Sequence, residues 1–163
     1  MRKAFLWSSV CLLLVIISPS LFGQTLSKDS VDVSLLNREA GATTLLTATF
    51  VLSDTLRPDG AIELTFPPGF DVSNVKIAGS SRINGGFRVQ VQGQTVRLLR
   101  QGRGRTLPPG EKVDVKIATV VNPKTAATPQ SLKLRVSGSG RSTYELQGGV
   151  VISRKKAVGG HEQ

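Results

Sequence analysis

Four arginines crowd the stretch RLLRQGRGR at residues 97–105: Arg97, Arg100, Arg103 and Arg105. A guanidinium is a flat, permanently charged fork that grips phosphate, sulfate or carboxylate with two parallel hydrogen bonds. Arg82 and Arg88 stand just upstream, and the six together form a candidate patch for an anionic ligand. Glycines between the arginines would keep that loop pliant. The competing reading is a charged, self-repelling edge that resists strand-to-strand aggregation.

Groups suited to catalysis are scarce. The one histidine, His161, lies in the terminal stretch AVGGHEQ, where a fixed acid–base geometry is not expected. No serine sits in a G-x-S-x-G elbow. The single cysteine, Cys11, belongs to the N-terminal apolar stretch, so the body of the chain has neither thiol chemistry nor disulfides. Asp54, Asp59 and Asp71 stand at turns; they could supply oxygens to calcium, or simply bond to neighbouring backbone amides. Glu111 and Asp114 fall on opposite faces of one strand and cannot act as a hydrolytic pair. The sequence therefore assigns no catalytic residue, no metal site and no cofactor.

Aromatic platforms are also missing. By alternation Phe50, Phe66 and Phe87 point inward, leaving Phe70 and Tyr144 free to be exposed. That argues against stacking on sugar rings and makes nucleic acid a disfavoured partner.

The elements that must position these residues are strands. From residue 30 onward the apolar period is two. VDVSLL sets Val31, Val33 and Leu35 on one face; TTLLTATFVL does the same with Leu46, Ala48, Phe50 and Leu52. AIELTF, FRVQV, KVDVKI and SLKLRV alternate in the same way. In VQVQGQTVRLL, Gly93-Gln94 suits a type II′ hairpin. It would pair Gln92 with Thr95, Val91 with Val96 and Val89 with Leu98, polar with polar and apolar with apolar. Residues 35–42 offer at most one helical turn. Each strand has one greasy face to hide, so the fold class is all-β: a two-sheet antiparallel sandwich of eight or nine strands, with a closed barrel second. Pro67-Pro68-Gly69 and Pro108-Pro109-Gly110 mark points where the chain leaves one sheet for the other.

The N-terminus is organised differently. MRKAFLWSSVCLLLVIISPSLFG has two cations, an apolar middle and small residues before Gly23, the layout of a secretory signal at residues 1–23. Left uncleaved it would be a membrane anchor. Residues 24–153 then form the sandwich and 154–163 a flexible basic tail. With 21 Lys+Arg against 11 Asp+Glu, the formal net charge of +10 favours anionic partners such as acidic polysaccharide or a membrane surface.

TATFVLSDTLRPDGAIELTFPPGFDVS, LPPGEKVDVKIATVVNP and SLKLRVSGSG, spanning about residues 43–140, resemble the immunoglobulin-like sandwich modules of secreted bacterial surface proteins. The resemblance implies a location at the bacterial envelope or outside the cell, a binding or scaffold role, and no catalytic residues. Four roles are thus weighed. The first is a non-catalytic module whose partner is another envelope or extracellular protein. The second is an anion binder acting through the arginines. The third is an enzyme, which would need a concave pocket with converging polar groups. The fourth is a subunit that shares an exposed, uncharged edge strand with another protein's sheet.

Overall fold

The computed structural model describes residues 30–125, 129–138 and 143–154. The signal-like segment 1–23, His161 and most of the basic tail lie outside the described residues. Nine strands follow in order: β1 (Asp32–Leu35), β2 (Thr43–Val51), β3 (Ala61–Thr65), β4 (Ala78–Gly79), β5 (Phe87–Gln92), β6 (Thr95–Arg100), β7 (Lys112–Val121), β8 (Gln130–Ser137) and β9 (Thr143–Val150). They form two antiparallel sheets, one in the order β1-β2-β7-β4 and one in the order β5-β6-β3-β8-β9. The fold is an immunoglobulin-like sandwich. No helix is present among the described residues, and so none long and apolar enough to cross a membrane.

The period-two pattern accounts for the core. Leu46, Ala48 and Phe50 of β2 and Val113, Val115 and Ile117 of β7 face inward from the four-stranded sheet. Ile62, Leu64, Val96, Leu98, Leu132 and Leu134 meet them from the five-stranded sheet, all sealed from solvent. The β5–β6 hairpin has the expected register: Gln92 opposes Thr95, Val91 opposes Val96 and Val89 opposes Leu98. Gly93 takes φ 56°, as the first position of a II′ turn requires. Both Pro-Pro-Gly runs do carry the chain between sheets, the first from β3 toward β4 and the second from β6 to β7.

Two features depart from the simple alternation. Leu46 pairs with Ile117 but Thr44 with Val120, so β7 holds one extra residue. That bulge sets Thr119 at φ 61°, and its hydroxyl lies 2.9 Å from the Asn74 carbonyl. Phe70, expected to be free for exposure, is buried instead. Gly69, at φ 96°, turns the chain back, and the Phe70 ring packs on Phe66 at 5.7 Å between centroids. Bonds between Asp71 and Val121, in both directions, hold it there.

The packing makes a graded prediction for urea denaturation. Phe50→Ala, at the sealed centre of β2, costs about 3–5 kcal/mol. Gly85→Ala costs more than about 2 kcal/mol, because φ is 93° and the new Cβ would strike the Arg103 carbonyl. Gly93→Ala, also at positive φ but facing open space, costs only about 1 kcal/mol. Equal losses at the two glycines would contradict the packing described.

Candidate functional site

The six arginines of the candidate patch do not share one surface. Arg97 projects from the outer face of the five-stranded sheet, where its Nε lies 3.0 Å from Glu63 Oε1. Arg88 is exposed on the same face, opposite Leu99. Arg105 Nη2 donates to Glu111 Oε1 at 2.7 Å. Arg103 is exposed in the loop after β6. Arg82 follows β4 and belongs to the other side of the sandwich, beside Thr47, Thr49 and Lys112.

Arg100 is the correction. It is only 5% exposed, so it cannot belong to a surface patch. The reason is parity: Val96 and Leu98 face inward on β6, and Arg100 continues that row. Its Nη1 donates to the Leu56 carbonyl at 3.0 Å, and its Nη2 donates to the carbonyls of Arg105 at 2.8 Å and Asn84 at 3.3 Å. Burial pulls its pKa down, partly offset by the charge of Asp59. One guanidinium thus ties together three loops at one end of the sandwich, donating to a carbonyl of each.

Of the two glycines between the arginines, Gly104 is closely packed, whereas Gly102 faces open space. A Cβ on Gly104 would meet the Asn84 carbonyl at 2.5 Å, and Gly85 faces the Arg103 carbonyl just as closely. Asn84 Oδ1 accepts from the Arg105 amide at 3.0 Å, locking the two loops face to face.

Across the outer face of the five-stranded sheet, the registers align Gln90, Arg97, Glu63, Arg135 and Glu145 in one row. Opposite charges alternate along it, with Glu145 also 3.5 Å from Lys133. Each such exposed pair contributes less than about 1 kcal/mol. The row makes this face flat, polar and largely self-neutralised.

A surface depression of about 420 Å³ lies on the four-stranded sheet and holds Asp114 beside Arg82 and Lys112. The Asp114 carboxylate is already engaged. It accepts from the Ser81 hydroxyl at 2.7 Å, the Ser81 amide at 3.1 Å and the Ser80 hydroxyl at 3.4 Å, with Lys116 at 3.7 Å. Burial alone would raise its pKa, but these bonds and the lysine outweigh burial and hold it below 3.8. Asp71 likewise spends its carboxylate on the amide and hydroxyl of Ser73, at 2.9 and 2.6 Å. Asp54 Oδ1 accepts from the Thr55 amide. Among the described residues, no three His, Cys, Asp or Glu side chains gather as metal ligands.

No family model matches the sequence, and no curated protein sequence matches it. Solved structures do match in fold. An uncharacterised protein from Nocardia farcinica with an immunoglobulin-like fold is 16% identical, with a TM-score of 0.50 over 76% of this chain and 98% of that one. The N-terminal domain of the Streptococcus gordonii adhesin Sgo0707 is 13% identical, with a TM-score of 0.52 over 78% of this chain. This chain spans only 34% of that second structure. At these identities the likeness is one of fold.

Two substitutions separate the structural arginine from the surface ones. Arg100→Met strips the donor from the Asn84 and Arg105 carbonyls, leaves Leu56 with only the Leu107 amide, and costs about 2–4 kcal/mol in chemical denaturation, whereas Arg88→Gln changes stability by less than about 0.5 kcal/mol. Asp114 gives a pH test. Its folded pKa is depressed, so its contribution is complete well above 3.8 and is lost as pH falls through the folded value. The stability gap between the wild type and Asp114→Asn therefore closes on acidification. A gap that widened toward low pH would refute the assignment.

Proposed function

We propose that the chain is a secreted, non-catalytic binding or scaffold module that works at the bacterial envelope or outside the cell, with another protein of that compartment as its partner. The single observation that carries this reading is that the acids in the surface depression and across the sheet faces are already engaged by neighbouring groups. Asp71 and Asp114 serve their own backbone and hydroxyl neighbours, and Glu63, Glu111 and Glu145 serve cross-strand or loop cations. A surface made this way offers shape, edges and charge to a partner.

The N-terminal sequence supports the location. Arg2 and Lys3, an apolar middle and a small residue at Gly23 suit export followed by cleavage, leaving a sandwich over 24–153 and a basic tail over 154–163. A body without cysteine is compatible with an oxidising compartment and asks nothing of it. The fold shared with a domain of a streptococcal adhesin is in keeping with a surface role.

A second reading has one observation in its favour. Among the described residues, no carboxylate pairs with Arg82, Arg88 or Arg103. On the β5–β6 side, Arg88 and Arg103 together with Arg97 and Arg105 could hold an acidic polysaccharide or lipid headgroup, without the buried Arg100 and without Arg82, which lies across the sandwich.

Expression of the full chain in a bacterial host tests the first reading. Protein recovered outside the cytoplasm with a new N-terminus at Gln24 is expected; full-length protein retained in the cytoplasm would count against it. Retention on a heparin column is the discriminating arm. Retention at low salt that is lost at moderate salt and weakens in Arg88→Gln and Arg103→Gln would shift the assignment to the anion reading, and no retention at low salt would remove it.

A further inference from the structure

Every open sheet has two edges, each a row of backbone donors and acceptors without partners. Here the four edge strands are not treated alike. β4 is two residues long and β1 is four. β9 is crossed by the chain just before β1, where the Val31 amide donates to the Gln147 carbonyl at 3.2 Å and the Val31 carbonyl sits directly against Gly148. β5 is six residues long, and no backbone bond joins it to anything but β6 among the described residues.

The direction of its free groups follows from the ladder. Phe66 donates to the Gln94 carbonyl at 2.9 Å and Arg100 donates to the Gly60 carbonyl at 3.0 Å. Between these limits the alternate residues Val96 and Leu98 turn their backbone groups to β3. Thr95, Arg97 and Leu99 therefore turn theirs to β5, onto Gln92, Gln90 and Arg88. That leaves the N–H and C=O groups of Phe87, Val89 and Val91 aimed off the sheet.

Those same three residues are only half-buried, whereas Val96 and Leu98 on the neighbouring strand are sealed. Their apolar side chains thus lack a cover on the side where their backbone lacks partners. The charge around them has one sign. On the outer face, Arg88 has no carboxylate partner among the described residues, and Glu63 is committed to Arg97. A second copy of this basic chain would bring cation toward cation at this edge.

We propose that the free edge of β5 is a docking edge for an extended segment of another protein in which apolar residues alternate with carboxylates. The segment adds a sixth strand to the five-stranded sheet. Its backbone pairs with Phe87, Val89 and Val91, its apolar side chains extend the core over them, and its carboxylates lie beside Arg88. This rests on the reading of the chain as a protein-binding module and names the surface it would use.

The probe is a synthetic eight-residue peptide of alternating Val and Glu, titrated into the secreted form while backbone amide resonances are followed. Shifts centred on Phe87, Val89 and Val91 are expected, with the Val–Lys counterpart binding roughly tenfold more weakly. Val89→Pro removes a donor that the fold does not use and should weaken the Val–Glu peptide roughly tenfold while the thermal transition is kept. Should that variant fail to fold, Arg88→Glu replaces it, and preference should invert toward the Val–Lys peptide. Unmoved β5 amides, equal binding of both peptides, or a concentration-dependent dimer that occupies β5 would each overturn the proposal. A chain that is exported yet ignores the peptide would sink this inference alone and leave the secreted-module reading standing.

Discussion

A sheet with one apolar face has to be covered by something, and the cover in this molecule is narrower than what it covers. The five-stranded sheet presents β5, β6, β3, β8 and β9, while the opposing sheet offers three substantial strands and a two-residue fragment, β4. Where the layers overlap fully, the inward side chains of β6, β3 and β8 are sealed. Where β4 runs out, Phe87, Val89 and Val91 remain half-covered. Hydrophobic burial thus holds the sandwich together through its centre and runs out along one border. The same shortfall that makes β5 the least buried long strand leaves its backbone groups free.

Polar groups finish the structure at its ends. Arg100 enters the interior at the last position of β6 and supplies donors to three loop carbonyls, so the loop after β6 and the loop before β5 are held as one body. On the opposite sheet, Asp114 gathers the Ser80–Ser81 turn onto β7. Arg100 acts from the inner face of its sheet and Asp114 from the outer face of the other, and each fixes the chain that leads into β5. The apolar shortfall at that strand is therefore bordered by well-ordered loops.

Much of this was legible in the sequence, because an antiparallel sheet writes its burial at every second residue. Alternation around Leu46–Leu52 identifies the face of β2, and matching faces across Gly93-Gln94 specify the hairpin register. The prolines marked the crossings because they cannot donate to a ladder. Other features left weaker marks. β4 is too short to have a period, and the bulge at Thr119 depends on a register shift with β2 rather than on any residue type. Phe70 follows a chain reversal at Gly69, so its side could not be counted from β3. Arg100 was different: its signal was present, since Val96 and Leu98 share its parity, and the charge of the side chain hid it. Arginine density along a chain says nothing about which way each guanidinium points.

The account turns on β5 being a true border strand, bonded on one side only. Amide hydrogen exchange of the free protein reads this directly, residue by residue. Slow exchange at Arg88, Gln90 and Gln92 with fast exchange at Phe87, Val89 and Val91 is the predicted alternation. Uniform protection across Phe87–Gln92 would show that something already covers the edge, and would contradict the account.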